Sequence, residues 1–129
     1  MNRWLRQAHA DLQAARDSSA AEHYEWACFQ AQQAAEKAIK AFLYSRGRTS
    51  ILSHSLTELV QEACALESSF GSAASNAHRL DAYYIPTRYP NGLAGEITPS
   101  EFYTKEDAQQ CLASAESILT VASRYTKSS

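Results

Sequence analysis

Several common features are missing from this chain, and each absence narrows what it can be. Cysteine is sparse: Cys28, Cys64 and Cys111 are odd in number and lack C-x-x-C spacing. They sit among small or apolar residues, which points to buried free thiols in a reducing compartment rather than a disulfide framework. Only four glycines are present, and they make no phosphate-cradling loop. No excess of positive charge exists either. Twelve Lys and Arg face fourteen Asp and Glu, giving a net charge of −2 and a pI near 6.1. A protein that coats nucleic acid or a membrane surface through bulk charge is thereby excluded, and any anion recognition must be local. No apolar run reaches membrane-spanning length, and the opening MNRWLRQAHADLQ has no apolar signal core. Sustained alternation of β-branched residues is also absent. A cytoplasmic protein of one all-α domain over residues 1–129 is expected, with a size that suffices for a core.

What is present is alanine at helical spacing. Trp4, Leu5, Ala8, Leu12 and Ala15 predict a first helix over about 3–17. Ser19-Ala-Ala-Glu22 has the pattern of a capping box, in which serine and glutamate satisfy free backbone amides. It predicts a second helix over about 20–46, with Ala27, Ala31, Ala34, Ala38 and Phe42 inward, Ala35, Ile39 and Leu43 beside them, and Trp26, Phe29 and Phe42 filling the wider spaces. Gly47 is placed to end it. Ser55-Leu-Thr-Glu58 predicts a start for a helix over 56–67, and Ala77, Leu80 and Tyr84 predict another over 73–85, stopped by Pro86. Thr104-Lys-Glu-Asp107 opens the last helix, about 105–125, whose stripe is Ala108, Cys111, Leu112, Ala115, Ile118, Leu119 and Ala122. The architecture expected is an antiparallel up-and-down bundle of four main helices plus one shorter helix.

Two segments depart from this pattern. Tyr83 to Pro90 holds three tyrosines, Arg88 and two of the three prolines, and it opens an 18-residue connection, 86–103, expected to lie as an ordered flap across the bundle. Arginine matches phosphate or carboxylate oxygens with a two-point fork, and tyrosine faces can stack on bases. The plainer alternative pairs Arg88 with Asp81 or Glu96 and packs the tyrosines in the core. The connector YSRGRTSILSHS supplies Arg46, Arg48, His54 and Ser55. Singly these read as helix-dipole and capping residues. In an up-and-down bundle, however, the second-to-third and fourth-to-fifth connections share an end, so the two unusual segments should meet. His78 and Asp81 share a helix face, but no third ligand accompanies them, so no metal is expected.

WLRQAHADLQAAR at 4–16, YEWACFQAQQAAEKAIKAFLYSRG at 24–47, HSLTEL at 54–59 and YYIPTRYP at 83–90 together resemble the small HEPN proteins (higher eukaryotes and prokaryotes nucleotide-binding). That resemblance implies a helical bundle, homodimerisation, binding of nucleotide or RNA, and pairing with a minimal nucleotidyltransferase in toxin–antitoxin-like systems. The matching positions are His54-Ser55-Leu56 and Arg88-Tyr89-Pro90. With the two unusual segments read above, the ligand residues expected are His54, Ser55, Arg88, Tyr89, Tyr84, Tyr83 and Arg46, with no cofactor. Many HEPN proteins are metal-independent ribonucleases with an Arg-x(4–6)-His motif. Arg48-x5-His54 fits that spacing, although it precedes the third helix, whereas the motif usually lies near the last. A ribonuclease using Arg48 and His54, or a pure dimerisation and interaction module, remain the alternatives.

Overall fold

The computed structural model describes residues 2–51, 53, 55–83 and 97–127. Among these residues every regular element is helical. The elements are α1 (Arg3–Ala20), α2 (Tyr24–Ser45), α3 (Leu56–Leu66), a 3₁₀ helix (Ser68–Ala73), α4 (Ala74–Asp81), α5 (Pro99–Phe102) and α6 (Lys105–Tyr125). The expected all-α bundle is present.

Helix α2 is the hub because its small side chains let two neighbours approach closely. Ala27, Ala31, Ala34, Ala35, Ala38 and Ala41 are fully buried along it, with Ile39, Phe42 and Leu43. On one side α1 runs antiparallel. Ser18 near its end donates to Gln30 at 2.7 Å, and Trp4 near its start lies 5.3 Å from Tyr44. On another side α6 runs parallel to α2. The Cys111 thiol is hydrogen-bonded to Cys28 near the amino end of α2, while Phe70 bridges Phe42 (4.4 Å) and Tyr125 (6.1 Å) near its carboxyl end. Helix α4 returns antiparallel to α6, with Arg79 donating to Ser114 at 2.9 Å and Tyr83 to Asp107 at 3.1 Å. Thus α1, α2, α4 and α6 alternate in direction. The exception is α3. Its start lies beside the end of α4, so it runs in the same direction as α2, and the end of α2 and the start of α3 lie at opposite ends of the bundle, not at one end as expected.

Helix ends show which local signals governed. Thr104 and Asp107 form the expected capping box, with Asp107 accepting from the Thr104 N–H at 2.8 Å. Gly47, at φ +87°, ends α2. Its N–H donates to the Tyr44 carbonyl, and the Arg48 N–H reaches back to the Leu43 carbonyl, both at 3.1 Å. This is a Schellman closure, which favours a residue without a Cβ at that point.

Other expectations need correction. Ser19 does not cap α2: α1 continues through it to Ala20, and α2 starts four residues later behind His23, which makes no side-chain cap. Glu22, the other half of the supposed box, sits at φ +66° in the turn. Trp26 does not fill the interior but is 50% exposed. The 86–103 connection contains α5, started by Thr98-Pro-Ser-Glu101, with the Glu101 carboxylate accepting from the Thr98 N–H and hydroxyl at 3.2 and 2.7 Å. Of the expected flap, residues 97–103 dock through buried Pro99 and Tyr103, and residues 86–96 lie outside the described ones. Cys28 and Cys111 are buried free thiols, as expected, whereas Cys64 is only partly buried.

Candidate functional site

The start of α3 is where separate elements converge. Ser55 caps it, accepting from the Glu58 N–H at 3.3 Å. Glu58 does not complete the expected box, because its carboxylate accepts instead from the Ser53 hydroxyl at 2.6 Å. The remaining amides turn to another helix. Asp81, the last residue of α4, accepts from Leu56 N–H and Thr57 N–H at 2.8 Å each, from the Thr57 hydroxyl at 2.7 Å and from Ser55 at 3.3 Å. A helix start is a ready anion site because its free amides point outward with positive partial charge. Here that site is already filled by a carboxylate of the same chain. The bonds engage Asp81 within the junction of α3 and α4; Arg88, its alternative partner from sequence, lies outside the described residues.

Beside this junction, two phenols close the start of α6. Tyr83 donates to Asp107, and its ring lies 5.7 Å from that of Tyr103. Burial is the main cause raising both phenol pKa values, with Tyr103 pushed up to about 12. Behind them the Cys111 thiol is held protonated by its hydrogen bond with Cys28 and by burial. It is not a nucleophile, since reactivity needs the thiolate.

Among the sequence candidates, the structure therefore brings Ser55 and Tyr83 to one end of the bundle. It places Arg46 and Arg48 at the other. Both are exposed at the carboxyl end of α2, and the Arg46 guanidinium carbon lies 5.0 Å above the Phe42 ring, a cation–π contact. His54, Tyr84, Arg88 and Tyr89 lie outside the described residues.

Sequence reasoning missed a row of polar side chains on α2. Glu25, Gln32, Glu36 and Lys40 are all buried, with Lys40 Nζ 3.6 Å from Glu36 Oε2 and Gln32 accepting from Gln33 at 2.6 Å. The Gln32 amide nitrogen has no partner among the described residues. Burying charge costs several kcal/mol per ion unless partners compensate. The signal was available: Glu36 and Lys40 stand one turn apart on the arc that also holds Ile39 and Leu43. An open groove of about 420 Å³ lies elsewhere, between α1 and α6, lined by His9, Leu12, Arg16, Glu116 and Leu119. Among the described residues no group of three His, Cys, Asp or Glu could hold a metal ion, and no helix is long and apolar enough to cross a membrane.

The same arrangement recurs in known proteins. TT1696 from Thermus thermophilus superposes with a TM-score of 0.85 at 36% identity, covering 97% of this chain and 99% of that one. ST0689, described as an archaeal HEPN homologue, gives 0.79 at 36% identity over 98% and 100%. In sequence, MJ1304 of Methanocaldococcus jannaschii, which bears a provisional toxin name, is 32% identical over 96% of this chain and 86% of its own length. Human sacsin is 30% identical over 85% of this chain, a match spanning 2% of sacsin. The model of the HEPN domain matches residues 1–125. With TT1696, ST0689 and MJ1304 aligned over most or all of their length and the family pattern running from the first helix to the last, the chain belongs to the HEPN domain family.

Proposed function

We propose that this HEPN bundle contacts nucleotide or RNA phosphate at the end where α3 begins and α4 stops, and that it works as a homodimer beside a minimal nucleotidyltransferase in a toxin–antitoxin-like pair. One observation carries the first part: Asp81 ties the start of α3 to the end of α4 through four hydrogen bonds. Ser55 and Tyr83, the described residues that flank His54 and Tyr84, thereby stand at one end of the bundle. The toxin name of MJ1304 supports the toxin–antitoxin-like setting, and the homodimer and the nucleotidyltransferase partner rest on the family resemblance.

In this reading Arg88 supplies the phosphate fork, His54 a second polar contact, and Tyr84 and Tyr89 the stacking faces. Ser55 and Tyr83 hold the frame, since their hydroxyls already bond Asp81 and Asp107. Arg46 and Arg48, ~20–30 Å away by helix rise, can touch a ligand bound there only if it is a longer RNA. Calorimetry with ATP, GTP and a 12-nucleotide RNA tests the assignment. Arg88→Ala should weaken every ligand by tenfold or more, and Arg46→Ala/Arg48→Ala only the RNA. Absence of heat with all three at ~0.1 mM would overturn the reading.

The toxin name also favours a second reading, a metal-independent ribonuclease, in which an arginine stabilises phosphate charge and His54 moves the proton of the attacking 2′-hydroxyl. RNA cleaved in chelator by the wild type, and left whole by His54→Ala with its fold intact, is the expected result. Intact RNA with the wild type rejects it.

A further inference from the structure

Six of the chain's twelve Lys and Arg residues gather at the carboxyl end of α2: Arg3, Arg6, Arg46, Arg48, Arg124 and Lys127. A closed series of contacts brings them there. Arg3 and Arg6 flank Trp4, whose ring lies 5.3 Å from that of Tyr44, just before Arg46. One turn along α1 from Arg6, His9 Nε2 stands 3.3 Å from Ser123 Oγ, beside Arg124. Tyr125 follows Arg124 and reaches Phe42 through Phe70, and the Arg46 guanidinium covers the Phe42 ring. All six cations are exposed, and none joins an ion pair among the described residues. Opposing charge is thin. Helix α3 brings Glu62 and Glu67 toward this end, and the Glu67 carboxylate is taken by the Ser69 N–H and hydroxyl at 3.3 and 3.0 Å. In a chain of net charge −2, such a gathering is a local positive field that an anionic ligand would neutralise.

The kind of cation and the ring among them identify the anion. All but Lys127 are arginines, whose planar forks take phosphate oxygens in pairs and stack on flat faces. Trp4 stays 37% exposed between two of them, a stacking surface for a base. A lipid surface is disfavoured, because Trp4 is the one large apolar side chain exposed at this end among the described residues, too little to insert. An acidic protein segment would meet the arginines but leave the ring without a planar partner. We propose that the carboxyl end of α2, with the start of α1 and the end of α6, binds single-stranded nucleic acid. The arginines contact successive phosphates, and Trp4 stacks on a base. This surface lies at the opposite end of the bundle from Ser55 and Asp81. It does not rest on the phosphate contact assigned to Arg88 and stands or falls separately from it.

The chain has two tryptophans, so Trp26→Phe leaves Trp4 as the sole tryptophan reporter. In that background a four-nucleotide oligouridylate, short enough to occupy one end, should quench Trp4 saturably. Its affinity should fall with salt on a log–log slope of about −2, as three phosphates displacing counterions require. Arg3→Gln/Arg6→Gln and Arg46→Gln/Arg48→Gln should each weaken binding about tenfold or more, whereas Arg88→Ala leaves it unchanged. Circular dichroism of each variant confirms that the bundle is intact. The proposal is overturned if no saturable quenching appears at low salt, or if quenching is indifferent to the two arginine pairs. An equal response to polyglutamate would make this a protein-docking surface instead. Displacement of the oligonucleotide by anionic lipid vesicles, with Trp4 shifted to the blue, would make it a membrane contact. Loss of quenching in Arg88→Ala would return the ligand to the other end.

Discussion

The two ends of this bundle are closed by different chemistry. At the carboxyl end of α2, rings close the gap: Phe42 against Phe70, Phe70 against Tyr125, and Trp4 against Tyr44. At the other end, where α3 starts and α4 stops, polar groups close it: Asp81 on the amides of α3 and Tyr83 on Asp107. Ring contacts are tolerant of direction, so the first end can be made from a few well-filled positions. Hydrogen bonds demand geometry, so the second end holds its segments in a fixed relation. A framework that positions binding residues needs that second property.

The contrast predicts unequal costs. Phe70 is fully buried between two helices, so Phe70→Ala should lower stability by about 3–5 kcal/mol through lost burial and the cavity left behind. Chemical denaturation measures this; a loss below ~1 kcal/mol would mean that the aromatic end is not a packing centre. Asp81→Ala should cost less, about 1–3 kcal/mol, because it strands amides that water can partly recover. Its second effect is specific. Amide exchange should accelerate at Leu56 and Thr57 while α1 and the second half of α6 keep their protection. Uniform acceleration would show that the polar end is not a separate junction.

Legibility in the sequence divided along the same line. Packing was readable because it repeats: the α6 stripe and the alanines of α2 recur at the expected positions, with Leu112 alone of the α6 set partly exposed. Local caps were readable where the partner lies three residues away, as with Thr104 and Asp107. Ser19-Ala-Ala-Glu22 shows the limit. The same letters stand there, yet Ser19 remains inside α1 and Glu22 takes a left-handed conformation, since the turn between two long helices settles where α2 begins. The Asp81 cap was invisible because its partners are 24 to 26 residues away. The outward Trp26 was misread because a large aromatic near an apolar stripe ordinarily packs inward. Short α5 was overlooked, although its Thr-Pro-x-Glu start follows the rule applied elsewhere.

High pH sharpens the comparison from the polar side. Tyr103 titrates near 12 when folded, and Tyr83 is raised as well, against about 10 for a free phenol. The unfolded chain then releases protons first as pH rises. Stability from these two groups is therefore full below about pH 10 and declines through pH 12. Tyr103→Phe should flatten that decline in a thermal-melt series, and a slope unchanged from wild type would assign the alkaline loss to other groups.

The smallest effect lies on the outer seam of α1 and α6, where Arg16 donates to Glu116 at 2.9 Å with both side chains about half exposed. Water screens such a pair, and ordering two long side chains offsets much of the attraction, so a double-mutant cycle should give ~0.2–1 kcal/mol, diminishing in salt. Arg16 also borders a second groove with Lys105 and Gln109, so its removal can act through packing of its methylenes as well as through charge. The cycle separates the two contributions: packing appears in the single Arg16→Ala variant, and only the pair energy in the coupling. A salt-insensitive coupling above ~1.5 kcal/mol, beyond the exposed-pair range, would mean this seam is drier than its exposure indicates, and would place a third structural junction beside the two ends.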